Sequence, residues 1–350
     1  MHIPFCDSKC FYCAFNSYTS LHSLRDDYIK ALKQQLSYEL KKNNKQIETI
    51  FIGGGTPSTI EASKYKEILE LIKPYFVQKN IEITIEANPN SASNEWLQEI
   101  KSIGINRVSF GVQSFDDKKL DFLGRNHNKT QAIQAINDAF DIGFEDINCD
   151  IIYDTQLDTK ELLDTDISII KTLPINHISA YSLTIEEGTK FFNKSSVQVE
   201  NEELVKYLFE ELNSLGFSQY EISNFSKDKD ARSKHNLGYW KYKEYLGVGS
   251  GAVGCINNTR YYNEKDVLKY IQNPLSYENT EKLSSDDITT EKILLGFRSV
   301  VGVDISILPI NMQNRAKILI ENDKLKLEEN IVYSSDFMLA DELALYITDI

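Results

Sequence analysis

At 350 residues and 41% hydrophobic, the chain can bury a full core and hold one large domain with a smaller one. A net charge of −14 argues against a non-specific nucleic-acid partner, because phosphate contacts need a basic surface, although a local basic groove is not excluded. No apolar run approaches the roughly 18 residues of a membrane helix, and the start lacks a signal peptide's charged-then-apolar layout. These features point to the cytoplasm, with peripheral membrane association left open.

In chain order, His2–Phe5 reads as a short strand feeding a loop with Cys6, Cys10 and Cys13, spaced C-x3-C-x2-C. Three thiols this close cannot all pair with one another. With Cys149 and Cys255 they make an odd count, which suits a reducing compartment. Thiolates favour iron–sulfur clusters and zinc. Zinc would need a fourth ligand such as His2; a four-iron cubane held by three cysteines would leave one iron open to a small molecule.

A helix is expected at about Leu24–Lys42, with apolar residues at Tyr28, Ala31, Leu32, Leu36 and Leu40. A buried strand at Ile47–Ile52 runs into Gly53-Gly54-Gly55-Thr56-Pro57-Ser58, which is either a flexible turn or a loop that lets backbone amides approach an anion. The pattern then repeats: helix at Ala62–Phe76, strand at Ile81–Glu86, helix at Glu95–Ile103, strand at Arg107–Phe110. Helices at Asp117–Leu123 and Thr130–Ile142, the strand Asp146–Tyr153, a helix at Thr159–Thr172 and the strand His177–Leu183 follow. About six strand–loop–helix repeats predict an α/β fold of parallel units, a partial (β/α)6 barrel over residues 1–190, with its site at the strands' C-terminal ends.

Polar residues gather near those ends. Glu86 is either a solvent-facing member of an alternating strand or a site residue; Gln113 is either a turn residue or a ligand contact; Arg125 is either surface or anion-binding. Asp150 sits in the otherwise apolar run Ile147–Ile152, and a buried aspartate needs a partner.

After about residue 190 the rhythm changes, and residues 191–350 read as a smaller mixed, mainly helical or winged module. It has helices at Glu202–Leu215, Thr289–Phe297 and Phe337–Tyr346, and a hairpin of Leu325–Leu327 with Ile331–Tyr333. The glycine-rich stretch Leu246–Gly254 reads as tight packing or close approach to a ligand, not as a dinucleotide fingerprint. His235, within His-Asn-Leu-Gly-Tyr-Trp, is either a hydrogen-bonded core histidine or an iron ligand flanked by aromatics.

Across nearly the whole chain these pieces resemble one family: HIPFC-x3-C-x2-C, GGGTPS, IEANP, RVSFGVQSF with LGRNH, the Asp150 strand, YSLTIEEGT, YEISNF and HNLGYW. It is the branch of radical S-adenosylmethionine (SAM) proteins that contains oxygen-independent coproporphyrinogen III oxidase and the heme chaperone HemW. The oxidase carries one more cysteine two residues after the third; here that position is Phe15, and His235–Trp240 matches the chaperone's HNxxYW. The resemblance therefore leans to the chaperone branch.

The resemblance implies a 4Fe-4S cluster on Cys6, Cys10 and Cys13. It implies SAM contacts from Gly54, Gly55, Thr56, Glu86, Gln113, Arg125 and Asp150, and a heme contact at His235. It also implies a reductant for the cluster and heme-acceptor proteins such as respiratory enzymes as partners. The alternative is radical oxidative decarboxylation of coproporphyrinogen III, in porphyrin biosynthesis. Relatives usually place Gly-Leu-Pro after the Asp150 strand, where this chain has Asp154-Thr155-Gln156. They often have a histidine near Val253 and a cysteine at Ser233; this chain has neither.

Overall fold

The computed structural model describes residues 1–79 and 81–349. Six parallel strands run in sequence order across one sheet: β1 (His2–Ile3), β2 (Thr49–Gly54), β3 (Glu82–Ala87), β4 (Arg107–Gln113), β5 (Asp146–Tyr153) and β6 (His177–Ser182). Their crossovers carry α1 (Arg25–Asn43), α2 (Ala62–Ile72), α3 (Asn94–Ser102), α4 (Asp117–Leu123), α5 (Lys129–Ile142) and α6 (Lys160–Ile170). The sheet then continues past residue 190. After α7 (Glu202–Ser214), β7 (Ser218–Gln219) and β8 (Asn224–Ser226) extend it in the order β6-β8-β7, β8 antiparallel to β6 and β7 antiparallel to β8.

Local chemistry sets the element ends. Tyr65, Ile68, Leu69 and Ile72 put one apolar face on α2, and Pro74 follows where the helix gives way to a 3-10 turn. A capping box of Asn128 and Gln131 opens α5, and Gly143 closes it at φ +101°. Each inner strand has two chemistries. On β3, Ile83 and Ile85 join the main core under the helices, while Glu82, Thr84 and Glu86 occupy the opposite, concave face.

Beyond β8, the short helix α8 (Lys234–Trp240) covers the HNLGYW stretch. A three-stranded antiparallel sheet follows: β9 (Val253–Ile256), β10 (Thr259–Asn263) and β11 (Tyr277–Lys282), with α9 (Val267–Gln272) between its second and third strands. The last segment has its own core around Ile293, Phe297, Ala344 and Ile347. It combines α10 (Ser285–Phe297), β12 (Val303–Asp304), α11 (Ile310–Glu321), the hairpin β13 (Leu325–Glu328)–β14 (Ile331–Ser334) and α12 (Ala340–Thr348). The sheet β9–β11 is not legible in the sequence, because its strands are short and β11 is polar and largely exposed, so no apolar face alternates along it.

The glycine-rich stretch closes the sheet's first edge. The His2 amide donates to Val248 O at 2.9 Å. Buried Gln35 of α1 accepts from the Gly249 amide (2.9 Å) and the Tyr270 hydroxyl (2.7 Å), and donates to Asn263 Oδ1 (2.6 Å). Gly249 has φ +109°, and a Cβ there would stand 2.5 Å from His2 O and 2.7 Å from the Tyr28 hydroxyl. Gly249→Ala is therefore expected to destabilise the protein by about 2 kcal/mol or more. Denaturant unfolding checks this; a loss below about 0.5 kcal/mol would show that the clamp is not tight.

Candidate functional site

The cysteine loop leaves β1 and lies against the glycine loop that leaves β2. Cys6 is buried, while Cys10 and Cys13 are partly open. The Gly55 and Thr56 amides donate to Ile3 O and Phe5 O, both at 2.7 Å, so the two loops are stitched backbone to backbone. A Cβ at Gly55 would stand 2.8 Å from both of those carbonyls and 3.0 Å from Cys6 Sγ. Only glycine permits this approach. The Thr56 hydroxyl donates to Cys6 Sγ at 3.3 Å, and Asn88, just past β3, donates to Thr56 Oγ1 at 3.2 Å.

Arg125 reaches the same place from the loop after α4. Its guanidinium donates to Cys10 Sγ (3.2 Å), Asn88 Oδ1 (2.7 Å) and Gly111 O (2.5 Å). Its Nε has no protein partner. Tyr12 lies beside Arg125, and burial pushes that phenol far up. Gln113 sits at a break in the β4–β5 register with φ +72°. This bulge turns its side chain back toward Gly111, where a Cβ would meet Gln113 Nε2 at 3.1 Å and Arg125 Nη2 at 3.2 Å.

Two acids share the concave face deeper in. Glu86 Oε2 accepts the Gly54 amide at 3.0 Å. Burial, then the neighbouring Asp150 charge, raise its pKa to about 7. Asp150 accepts Asn148 Nδ2 at 2.6 Å, with Ser109 and Ser179 beside it, and burial raises it to about 6. Asp154 takes φ +63°, the left-handed conformation of a glycine, where relatives are expected to carry glycine.

The structure thus gathers Cys6, Cys10, Cys13, Gly54, Gly55, Thr56, Glu86, Gln113, Arg125 and Asp150 at the strands' C-terminal ends. His2 is not turned to the thiols: its Nε2 lies 2.8 Å from Asn16 O. Among the described residues, no three His, Cys, Asp or Glu side chains are set to hold one metal ion; a cubane takes each thiolate on a different iron. His235 lies elsewhere, at the opposite end of β2, with its Nδ1 2.8 Å from the Thr49 hydroxyl. The five-residue step from Thr49 to Gly54 spans roughly 17 Å. Asn88 and Tyr12 stand in the quoted motifs but carry no signal of their own; their roles come from contacts with Arg125.

The radical SAM superfamily model matches residues 1–165. The chain is 35% identical over 317 residues to the heme chaperone HemW of Bacillus subtilis, covering 87% of this chain and 83% of that protein. The chain belongs to the HemW family of radical SAM proteins. It is also 34% identical over 267 residues to HemW of Escherichia coli, covering 73% of this chain and 69% of that protein. Among solved structures, the Escherichia coli radical SAM enzyme coproporphyrinogen III oxidase (HemN) superposes with a TM-score of 0.83 over 99% of this chain and 88% of that one, at 18% identity. That likeness shows the fold. Radical SAM membership implies a 4Fe-4S cluster and SAM, and the donor set fits them: three soft thiols beside a glycine cradle, a guanidinium with a free Nε, and two carboxylates. No helix among the described residues is long and apolar enough to cross a membrane.

Glu86 gives a test of this electrostatic site in the ligand-free protein. Its folded pKa of about 7 lies above the ordinary 4.5, so the native state binds the extra proton between those values. Stability from this group is full at low pH and falls as pH rises from about 4.5 through 7. Glu86→Gln removes that loss. The variant is expected to gain on the order of 2 kcal/mol over wild type at pH 8, a difference that shrinks to nothing near pH 4. Denaturant unfolding at both pH values reads it; an equal difference at both would show that Glu86 is not strained by its charge.

Proposed function

We propose that this chain is a cytoplasmic heme chaperone that binds heme and passes it to acceptor proteins. Cys6, Cys10 and Cys13 would hold a 4Fe-4S cluster. Gly54, Gly55 and Thr56 would take the amino-acid end of SAM, Arg125 its carboxylate, and Glu86 and Asp150 its cationic side; Gln113 would face the same ligand. When bound and reduced, the cluster supplies an electron to SAM. The protein's own part is to hold Arg125 against Cys10 and Asn88 and to keep two carboxylates ready for a cation.

The observation that carries the heme reading is the setting of His235. It lines a cavity of about 630 Å³ with Phe51, Tyr239 and Tyr245, and the cavity extends to His2, Gly53 and Gly54 beside the cysteine loop. That volume suits a large flat ligand. The His235 ring stacks on Phe51 at 5.2 Å, and burial lowers its pKa to about 4, which keeps the imidazole in the neutral form that ligates iron. Its Nε2 lies 3.2 Å from the Tyr239 hydroxyl, a long contact that heme ligation would displace. The family's name, heme chaperone, supports the same reading.

The test uses anaerobically reconstituted protein, titrated with heme and separately incubated with SAM, reductant and coproporphyrinogen III. Heme should bind wild type, bind His235→Ala about tenfold or more weakly, and yield no decarboxylated product. SAM-dependent formation of protoporphyrinogen that is lost in Cys6→Ser would make the protein an oxidase instead. Undiminished heme binding by His235→Ala would remove the proposed contact.

A further inference from the structure

A continuous chain of hydrogen bonds crosses the concave face from Asp150 to the helix that carries His235. Asn148 Nδ2 donates to Asp150 Oδ1 at 2.6 Å. Asn148 Oδ1 lies 2.6 Å from His177 Nδ1, and His177 Nε2 lies 2.7 Å from the Tyr220 hydroxyl. That hydroxyl accepts the Ser233 amide at 3.1 Å. Ser233 is the N-cap of α8, its Oγ accepting the Asn236 amide at 3.2 Å. Glu82 accepts the next two amides, Lys234 at 2.9 Å and His235 at 2.8 Å.

The chemistry leaves one arrangement of protons. An amide oxygen only accepts, so His177 Nδ1 must carry the hydrogen toward Asn148 Oδ1. Burial, and then the Arg107 charge, hold the His177 ring neutral, so its Nε2 is an acceptor and Tyr220 must donate to it. The Tyr220 oxygen then accepts from Ser233. Every bond donates in the direction of Asp150. His177, Tyr220, Asn148 and Ser233 are all at least nine-tenths buried, while the bond at the Asp150 end is part-buried. Bonds aligned head to tail polarise one another, so charge at the acceptor end strengthens each link behind it.

We propose that His177 and Tyr220 are positioning residues that couple the charge on Asp150 to the seating of α8, and through it to His235. A cation held against Asp150 keeps that carboxylate ionised and the chain taut. Loss of the charge slackens the Ser233 anchor and leaves Glu82 as the hold on the helix start. The coupling rests on the proposed function only for what occupies its two ends; the chain itself is built from this protein's residues.

Amide hydrogen exchange at Ser233, read in wild type, Asp150→Asn, Tyr220→Phe and the double variant, tests it without any ligand. Tyr220→Phe, which removes one hydroxyl and keeps the ring, should speed exchange on the order of tenfold. Asp150→Asn should speed it roughly threefold or more. The double variant should match Tyr220→Phe alone, since the message no longer arrives. An Asp150→Asn effect that persists unchanged in the Tyr220→Phe background, or no effect in the wild-type background, would overturn the coupling. In a second arm run near pH 5.5, below the folded pKa of about 6 where a bound cation restores the Asp150 charge, SAM added to the reconstituted protein should slow Ser233 exchange in wild type and not in Tyr220→Phe, with SAM binding followed by equilibrium dialysis. SAM that binds without slowing exchange in wild type would overturn the coupling. Failure of SAM to bind would instead overturn the cofactor assignment, with the ligand-free cycle still deciding the relay.

Discussion

Carboxylates on the concave face of a parallel sheet must have their charge answered, because the hollow offers too little water to do so. Glu86 and Asp150 impose that requirement here, and each finds a hydrogen-bond donor: Gly54 for the first, Asn148 for the second. Arranging those donors shapes the surroundings. The strands keep isoleucine on the outer face against the helices and place serine, threonine, asparagine and acid on the inner one. The end of β2 and the residue after it give up side chains at Gly53–Gly55 so that backbone, thiol and carboxylate can meet. What remains unanswered on the two acids is a deficit of positive charge, the electrostatic match for a cationic ligand such as a sulfonium.

The cysteine loop and the His235 helix stand at opposite ends of this hollow. At one end Arg125 ties the third loop to the first by holding Cys10, Asn88 and the Gly111 carbonyl together. At the other, Thr49, Phe51, Glu82 and Tyr220 fix the start of α8 and the ring of His235. The glycine-rich stretch after α8 then returns along β1 and locks to α1 through Gln35. One segment of the later chain therefore bears both on the proposed heme end and on the strand that leads into the cysteines.

Local signals made much of this legible. The C-x3-C-x2-C spacing, the strand–loop–helix rhythm and the position of polar residues after apolar runs each depend on neighbours within a few residues. The elements they predict lie within a few residues of those observed; the strand expected at Arg107–Phe110 runs on to Gln113, and the helix expected through Phe76 stops at Ile72. The three-stranded sheet β9–β11 is not legible because its strands are short and β11, Tyr277–Lys282, is polar and largely exposed. Asn88 carries no signal beyond its motif, since nothing about an asparagine before proline announces a bond to an arginine 37 positions later.

By itself the sequence determined the order of elements, the soft-ligand loop and the acids that sit inside strands, because periodicity and spacing are properties of the chain. Only the tertiary structure decided which of those residues share a space. It turned Gln113 inward through a bulge, sent His235 to the far end of β2, and linked Asp150 to Ser233 through His177 and Tyr220. Those relations depend on strand register and on contacts between residues tens to more than a hundred positions apart. Such contacts form when the sheet curls and buries its polar face, and no local pattern encodes them.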